Sequence, residues 1–522
     1  MTATPQTPDV VIVGAGPVGL VAACELARRG VRIRIVDKLA EPTDESRAIA
    51  IHARSLDMFD RMGIVDDLVA TGVKSTSMRM LSGGHQLFQV GFGGVDSAFP
   101  YSLLTAQTET ERVLTERLGR LGVSIDRGVE LVELTQDDDV VSLTLRHADG
   151  STEVVTTSWV VGADGAHSTV RHLVGTKLQG SFKGERFILG DCDAEHEMDA
   201  ESMYTVFSPE GTVIAMPMRA GRARLMAQIH DEPGTPLNLH PTQDDLQRIL
   251  DDRVGGIRIT NSHWLTCFEI HHGQVAAYRH GRVFLAGDAA HIHSPAGGQG
   301  MNTGMQDAFN LAWKLAAAVR GEGGQMLLDS YHAERHPVAE KVIGFTTNLT
   351  KAGTLRGGAR VVRNAILRVV GNLPGVGEKM ASVVEEIEVG YQGSPAVRGG
   401  QVSHAKIAAG QHVPHIADTE LQKVISALCG ADNAGHTVLT VTAGKPAPAA
   451  GPAGQVQVLV TPEDTPVGGY DAVIADPDGV IARRFGLSDG GRVVVRPDGY
   501  IGAVAALDDQ AGVADYFALI AR

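Results

Sequence analysis

The stretch GRVFLAGDAAHIHSPAGGQGMNTGMQDAFNLAWKL, residues 281–315, decides the fold. Arg282 to Ala286 is a short apolar run between glycines and reads as a buried strand. Gly287-Asp288 ends it and leaves a carboxylate at the strand's C-terminal edge, where open α/β sheets bind ligands. Pro295-Ala-Gly-Gly-Gln-Gly300 is a loop whose glycines free the backbone to approach another group closely. A helix follows, with Met301, Met305, Ala308, Leu311, Ala312 and Leu315 on one face. A glycine loop that opens a helix is an anion site, because free N–H groups and the positive end of the helix dipole point the same way.

Outward from this stretch the same grammar appears twice more. Asp9 to Ala15 (DVVIVGA) is a β-branched run of the kind found in buried parallel strands. It meets Gly14-Ala-Gly16-Pro-Val-Gly19, a GxGxxG that opens a helix from Val18 to Arg29, stopped by Gly30. The next strand, Val31 to Val36, ends at Asp37. Strand, glycine fingerprint, helix, strand and terminal acid within about 30 residues predict a dinucleotide site. Trp159 to Gly162 is another apolar strand, broken by Ala163-Asp164-Gly165 before a helix. Between these lie Ser46-Arg47, where the arginine either neutralises a pyrophosphate or is a surface cation. Gln107 opens a further helix, as a donor to a ligand or as a cap.

Composition bounds the rest. A chain of 522 residues holds two or three domains with sizeable cores. A net charge of -15 argues against nucleic acid or an anionic membrane as a partner, and neither is expected. Four cysteines, far apart and without a CxxC, support neither zinc binding nor dithiol chemistry, and suit a reducing cytoplasm. The start MTATPQTPD lacks the basic residues of a signal peptide. The apolar run Val10 to Ala23 is too short, and too often broken by glycine, to span a membrane.

Residues 180–279 read mostly as strands, a sheet covering a site between two α/β halves. No second GxGxxG occurs in the first 350 residues, so no separate Rossmann domain for NAD(P)H is expected. The chain then reads as helical to about Gly390. A hairpin across Pro497-Asp-Gly499 marks a small, separate C-terminal domain. The expected division is 1–75, 103–178 and 280–345 for the nucleotide-binding domain, and 76–102 with 179–279 for the substrate sheet. A helical connection at 346–394 and a C-terminal domain at 395–522 complete it.

Three motifs, GAGPVG at 14–19, GADGAHSTVR at 162–171 and the 281–316 stretch, together resemble the single-component FAD-dependent aromatic hydroxylases of the p-hydroxybenzoate and phenol hydroxylase group. SRA at 46–48 and AQTETE at 106–111 resemble the family's intervening features. The part after residue 395 resembles the thioredoxin-like appendage of phenol hydroxylase and of bacterial polyketide hydroxylases. Without CxxC, a packing or oligomer role is implied for it. The whole looks like the enzymes that oxygenate polycyclic aromatic polyketides, and like rifampicin monooxygenases.

The resemblance implies an α/β fold: a Rossmann-like FAD-binding domain with an inserted β-sheet substrate domain. It implies non-covalent FAD, NADPH or NADH as cosubstrate, and O2. NAD(P)H would reduce the flavin, the reduced flavin would take up O2 as a C4a-hydroperoxide, and an activated ring would attack the distal oxygen. Gly14, Gly16 and Gly19 would carry the pyrophosphate, and Asp37, with Lys38 beside it, the adenosine end. Arg47 and Gln107 would contact the pyrophosphate and ribityl region, and Asp288 the ribityl hydroxyls. Gly300, Met301 and Asn302 would offer N–H groups to the flavin pyrimidine. Asp164 and Gly165 would link FAD and NAD(P)H binding, unless Asp164 merely caps the following helix. Pro295 and Gly298 would line the reactive face. No metal is implied, and His291 and His293 read as structural parts of the loop. The expected partner is a small aromatic substrate, held by the 180–280 sheet and the 77–102 loop of a monomer or homodimer. Baeyer–Villiger oxygenation of a polyketide ketone is an alternative chemistry; a non-catalytic FAD-containing binder of aromatic antibiotics is an alternative class. Trp159, Trp264 and Trp313 form no WxWxIP run, against a halogenase.

Overall fold

The computed structural model describes residues 7–522 except 44–45, 47, 230–239, 295–296, 354, 356, 372, 401, 432, 445–446 and 464–466. Arg47 and Pro295 therefore lie outside the described residues.

Val10–Val13, buried on both faces by its β-branched side chains, is a central strand of a six-stranded sheet. The spatial order is Arg279–His280, Val283–Leu285, Trp159–Gly162, Val10–Val13, Ile33–Asp37, Ile125–Arg127. All but the first run parallel. Register sets Val13 beside Val36 and Gly162, and Gly162 beside Leu285. The loops starting at Gly14, Asp37, Ala163 and Ala286 thus leave the sheet along one edge, the ligand-binding edge of an open parallel sheet.

A second sheet of eight strands stands over this edge. Its order is His291–Ile292, Ile257–Gln274, Gln179–His196, Arg222–Ile229, Gly211–Pro217, Ser202–Ser208, Ser77–Ser82, His85–Gly91. The segment read as a 77–102 loop contributes the last two strands, a hairpin whose first strand pairs parallel with Ser202–Ser208. One apolar core joins this sheet to the nucleotide-binding part: Met78, Met80, Phe88, Phe187 and Met226 pack with Ile49, Ala50 and Leu104. The other face is covered by the helix Gln243–Arg253 through Leu246 and Leu250. The reading of 180–279 as mostly strands did not single out this helix. Its signal was present: Thr242 and Asp245 form a reciprocal capping box.

The helix Gln299–Val319 also departs from the amphipathic reading. Seventeen of its 21 residues are buried, Gln306, Asp307, Asn310 and Lys314 among them. It runs through the middle of the molecule, so its polar side meets protein partners in place of water. Helices Gln325–Gly353, Gly357–Val370 and Val376–Val384 follow. The C-terminal sheet has the order Ala472–Ala475, Val456–Thr461, Thr437–Val441, Gly491–Val495, Ile501–Ala505. Its first three strands are parallel and its last two antiparallel. Among the described residues no helix is long and apolar enough to cross a membrane.

Candidate cofactor and active site

The cradle begins at Gly14, whose φ of 103° carries the chain out of its strand toward the first helix, Pro17–Ala27. A Cβ on Gly19 would lie 1.9 Å from Gly14 O, so only glycine lets this helix approach the strand. Beside Gly16, by contrast, the space is open, and no side chain caps the helix that starts there. Closed at Gly19 and open at Gly16, the turn leaves a dipole end and room for a diphosphate. Asp37 holds it in place: Oδ2 accepts from Ala15 N at 2.6 Å and Oδ1 from Leu39 N at 2.8 Å. Each oxygen retains a second lone pair, enough for two ribose hydroxyls. Lys38 beside it is exposed.

The second and third loops close on the first. Gly287 and Gly304 pack on Val18 of the first helix, where a Cβ would meet Val18 Cγ2 at 2.8 and 2.9 Å respectively. Asp288 stays exposed in the short turn Gly287–Ala289 at the sheet edge. Asp164 caps the helix Thr169–Leu173: it accepts from Val170 N at 3.0 Å and from Ser168 Oγ. Gly165 follows in the left-handed region. Arg171, which the sequence reading gave no role, ties two motifs together. Its guanidinium donates to Ala166 O at 2.6 Å and Ala289 O at 3.2 Å.

Gly298, left-handed at φ 66°, caps the central helix without any side-chain hydrogen bond. The N-terminus formed by Gln299, Gly300 and Met301 is thus a second uncapped dipole end facing the cradle edge. Asn302, buried, spends its side chain on the loop itself. It accepts from His52 N at 3.0 Å and donates to Ala50 O and Gly298 O, both at 2.8 Å. Beneath the loop, His52 Nε2 donates to Gly297 O at 2.8 Å. Its Nδ1 is 2.9 Å from Ser102 Oγ, which donates to Glu385 Oε1 at 2.6 Å. Burial would lower the His52 pKa, but the carboxylate of Glu385 outweighs burial and raises it.

Behind the Gly-Asp turn stands a second buried network. Asp307 accepts from His291 Nε2 and Arg335 Nε, both at 2.7 Å, and from Gly287 N at 3.2 Å. Burial would raise its pKa, but Arg335 and His291 hold it below the usual carboxylate range. Arg335 continues to Thr303 O and to the Tyr391 hydroxyl. His291 is thus a structural member of the loop. His293 donates Nδ1–H to Ser294 O at 3.0 Å, and burial pushes its pKa down to about 4, so it is neutral at pH 7.

Gln107 is the first residue of its helix; its Oε1 accepts from Ala48 N at 3.3 Å and its Nε2 donates to Glu111 at 2.8 Å. Ser46 accepts from Gln107 N and from the buried Arg224, both at 3.0 Å. Arg224 also donates to Asp191 and so ties the large sheet to the cradle. Asp307, Arg224 and Glu385 escaped the sequence reading. Only Asp307 left a trace, as the lone acid of the helix Gln299–Val319.

Two uncapped helix ends, a ribose-ready carboxylate and an apolar sheet above them fit a flavin dinucleotide. The FAD binding domain family matches residues 7–346, and the phenol hydroxylase C-terminal dimerisation domain matches residues 471–522. The chain belongs to the FAD-dependent aromatic hydroxylases, a class of flavoprotein monooxygenases. It is 36% identical to a 6-methylpretetramide 4-monooxygenase of Streptomyces rimosus, over 95% of its own length and 90% of the relative's. It is 38% identical to a rifampicin monooxygenase of Streptomyces venezuelae, over 69% of its length and 75% of that protein's. The structure of an anhydrotetracycline hydroxylase from Streptomyces rimosus superposes with a TM-score of 0.76 at 29% identity, covering 99% of both chains.

Proposed function

We propose that this protein uses NAD(P)H and bound FAD to place one oxygen atom of O2, as a hydroxyl, on an aromatic ring of a polycyclic, polyketide-type substrate. The other oxygen leaves as water. The observation that carries the reading is the convergence of three glycine/aspartate loops under an apolar sheet face. When bound, FAD supplies the redox and oxygen-activating chemistry.

The chain's own residues bind, orient and keep the site dry. In this reading Gly14, Gly16 and Gly19 receive the diphosphate, with Arg47 and Gln107 nearby, and Asp37 the ribose, with Lys38 beside it. Asp288 receives the ribityl hydroxyls. Gly300, Met301 and Asn302 present backbone N–H groups to the anionic edge of the reduced ring system. Pro295 and Gly298 line its reactive face, and Asp164 and Gly165 lie toward the NAD(P)H side. The sheet's methionines and phenylalanines exclude water and offer an adaptable face to a flat substrate. The names of relatives that act on pretetramide and anhydrotetracycline support the substrate class. The C-terminal sheet supports a thioredoxin-like unit that serves dimerisation, in a cytoplasmic homodimer.

The test is NADPH and NADH consumption by the purified flavoprotein with a panel of phenols and polycyclic quinones, with mass spectrometry of the products. Stimulated oxidation and a ring-hydroxylated product are expected. A ring-expanded ester would replace hydroxylation by Baeyer–Villiger chemistry. No stimulation across the panel would favour a non-catalytic binder.

A further inference from the structure

Ten large apolar side chains stand exposed among the described residues, and six of them fall within 355–373. Four are on the helix Gly357–Val370: Val361, Val362, Ile366 and Val369, 52–66% exposed. Leu355 and Leu373 flank it. Two polar residues of this helix, Arg363 and Asn364, face the protein. Arg363 is buried over the Phe207 ring at 4.6 Å, and Asn364 donates to Ser82 Oγ at 3.1 Å. Leu367, on the same inner side, joins the sheet core. An ordinary surface helix has the opposite polarity.

Charge sets the segment apart as well. From Lys341 to Gly377 the sequence holds six cations, Lys341, Lys351, Arg356, Arg360, Arg363 and Arg368, and no acid, in a chain of net charge -15. The overall balance speaks against an anionic partner for the chain as a whole; this island is its local exception.

We propose that the outer face of the helix Gly357–Val370 docks on an anionic lipid surface. Exposed apolar side chains flanked by cations are what such a surface receives, the former among the acyl chains and the latter at the headgroups. At 14 residues the helix is about 21 Å long, too short to span a bilayer and suited to lying in its plane. A second copy seated on the same face would set cations against cations. A second copy seated by any other face would build a ring or an open filament and not a closed pair.

The test is co-sedimentation of the full-length flavoprotein with phosphatidylglycerol vesicles and with phosphatidylcholine vesicles. Binding to phosphatidylglycerol alone, weakened by salt, is expected. The variant Val362→Ser/Ile366→Ser/Val369→Ser should lose binding. Arg360→Gln/Arg368→Gln should weaken it roughly 25-fold, at about fivefold per cation. Both variants should keep the bound-FAD spectrum and thermal midpoint of the parent, since the changed positions face outward. Equal sedimentation with both lipids, none with either, or variants that bind like the parent would overturn the proposal. So would a concentration-dependent dimer abolished by the triple variant, which would assign the face to a second copy. An acidic protein that competes with the vesicles while lipid binding is unselective would assign it to a protein partner.

Discussion

Asn302 holds three backbone groups from two segments far apart in sequence. Asn302→Ala would leave His52 N, Ala50 O and Gly298 O without this partner in a buried site. At about 1–3 kcal/mol per stranded buried group, partly relieved by relaxation, a loss near 3 kcal/mol is expected. The loop that precedes the central helix should loosen with it. FAD titration by flavin fluorescence should then show weaker binding alongside the lower thermal midpoint. The histidines give a second prediction. Burial pushes His293 down to about 4 and His436 to about 3, from an ordinary 6.5, so folding demands their neutral forms. Stability contributed this way is intact above pH 6.5 and falls as acid protonates the unfolded chain first. The loss at pH 5 is about 2 kcal/mol for each residue. His52, whose pKa is raised, works in the opposite sense, as does Asp57, whose carboxyl burial raises to about 6; the two buried histidines together outweigh Asp57. Thermal midpoints should therefore fall from pH 7 to pH 5, and His436→Gln should fall less. The turn made by the motif glycines was legible in sequence because its geometry is local. The side-chain duties of Asn302 and Gln107 were not, because their partners come from other segments.

At the scale of elements, the Gly-Asp turn is held by a helix pair through one ion pair. Asp307 on the central helix and Arg335 on the next are both fully buried. Breaking such a pair from one side leaves an uncompensated charge, at about 3–5 kcal/mol. Arg335→Met should cost that much in urea unfolding and release FAD more readily than a comparable change outside the network. The three loop–helix units could be read from sequence because each is a contiguous strand, turn and helix. What joins them could not. Arg171 reaches from one motif to another, and Glu385 reaches back to Ala53 N at 2.6 Å across most of the chain. The capped helix Gln243–Arg253 was hidden among strands, although its Thr242 and Asp245 were in plain view.

For the whole molecule, the C-terminal sheet is bound to the cofactor half by buried charges. Arg496 donates to both oxygens of Glu334 at 2.7 and 2.8 Å, and to Asp498. Glu334 also accepts from Lys314 at 2.7 Å, and burial lowers that lysine's pKa to about 8. Asp498 reaches Asn310 and the Trp313 indole, and the Tyr391 and Tyr500 rings meet at a tilt with centroids 4.2 Å apart. Glu334→Gln would leave Arg496 and Lys314 short of a counter-charge, and a loss of about 3–5 kcal/mol is expected in denaturant unfolding. The chain cut after residue 394 should expose Trp313, Asn310 and Lys314 and fail to fold as a soluble flavoprotein. A soluble, FAD-containing fragment would show the two parts to be independent. Sequence placed a boundary near 395 by its glycines, yet gave no sign that the polar side of the central helix is paired across it.

The contact of Gly287 and Gly304 with Val18 has a consequence for how the protein is made. A growing chain presents its glycine fingerprint nearly 300 residues before the wall that closes the cradle, and the last supports, Tyr391 and Arg496, emerge later still. Long-range contacts of this kind form after the segments between them have been synthesised. Cofactor capture therefore belongs to the end of biosynthesis. A ribosome stalled before the central helix would carry a nascent chain with a dinucleotide motif and no grip on its nucleotide.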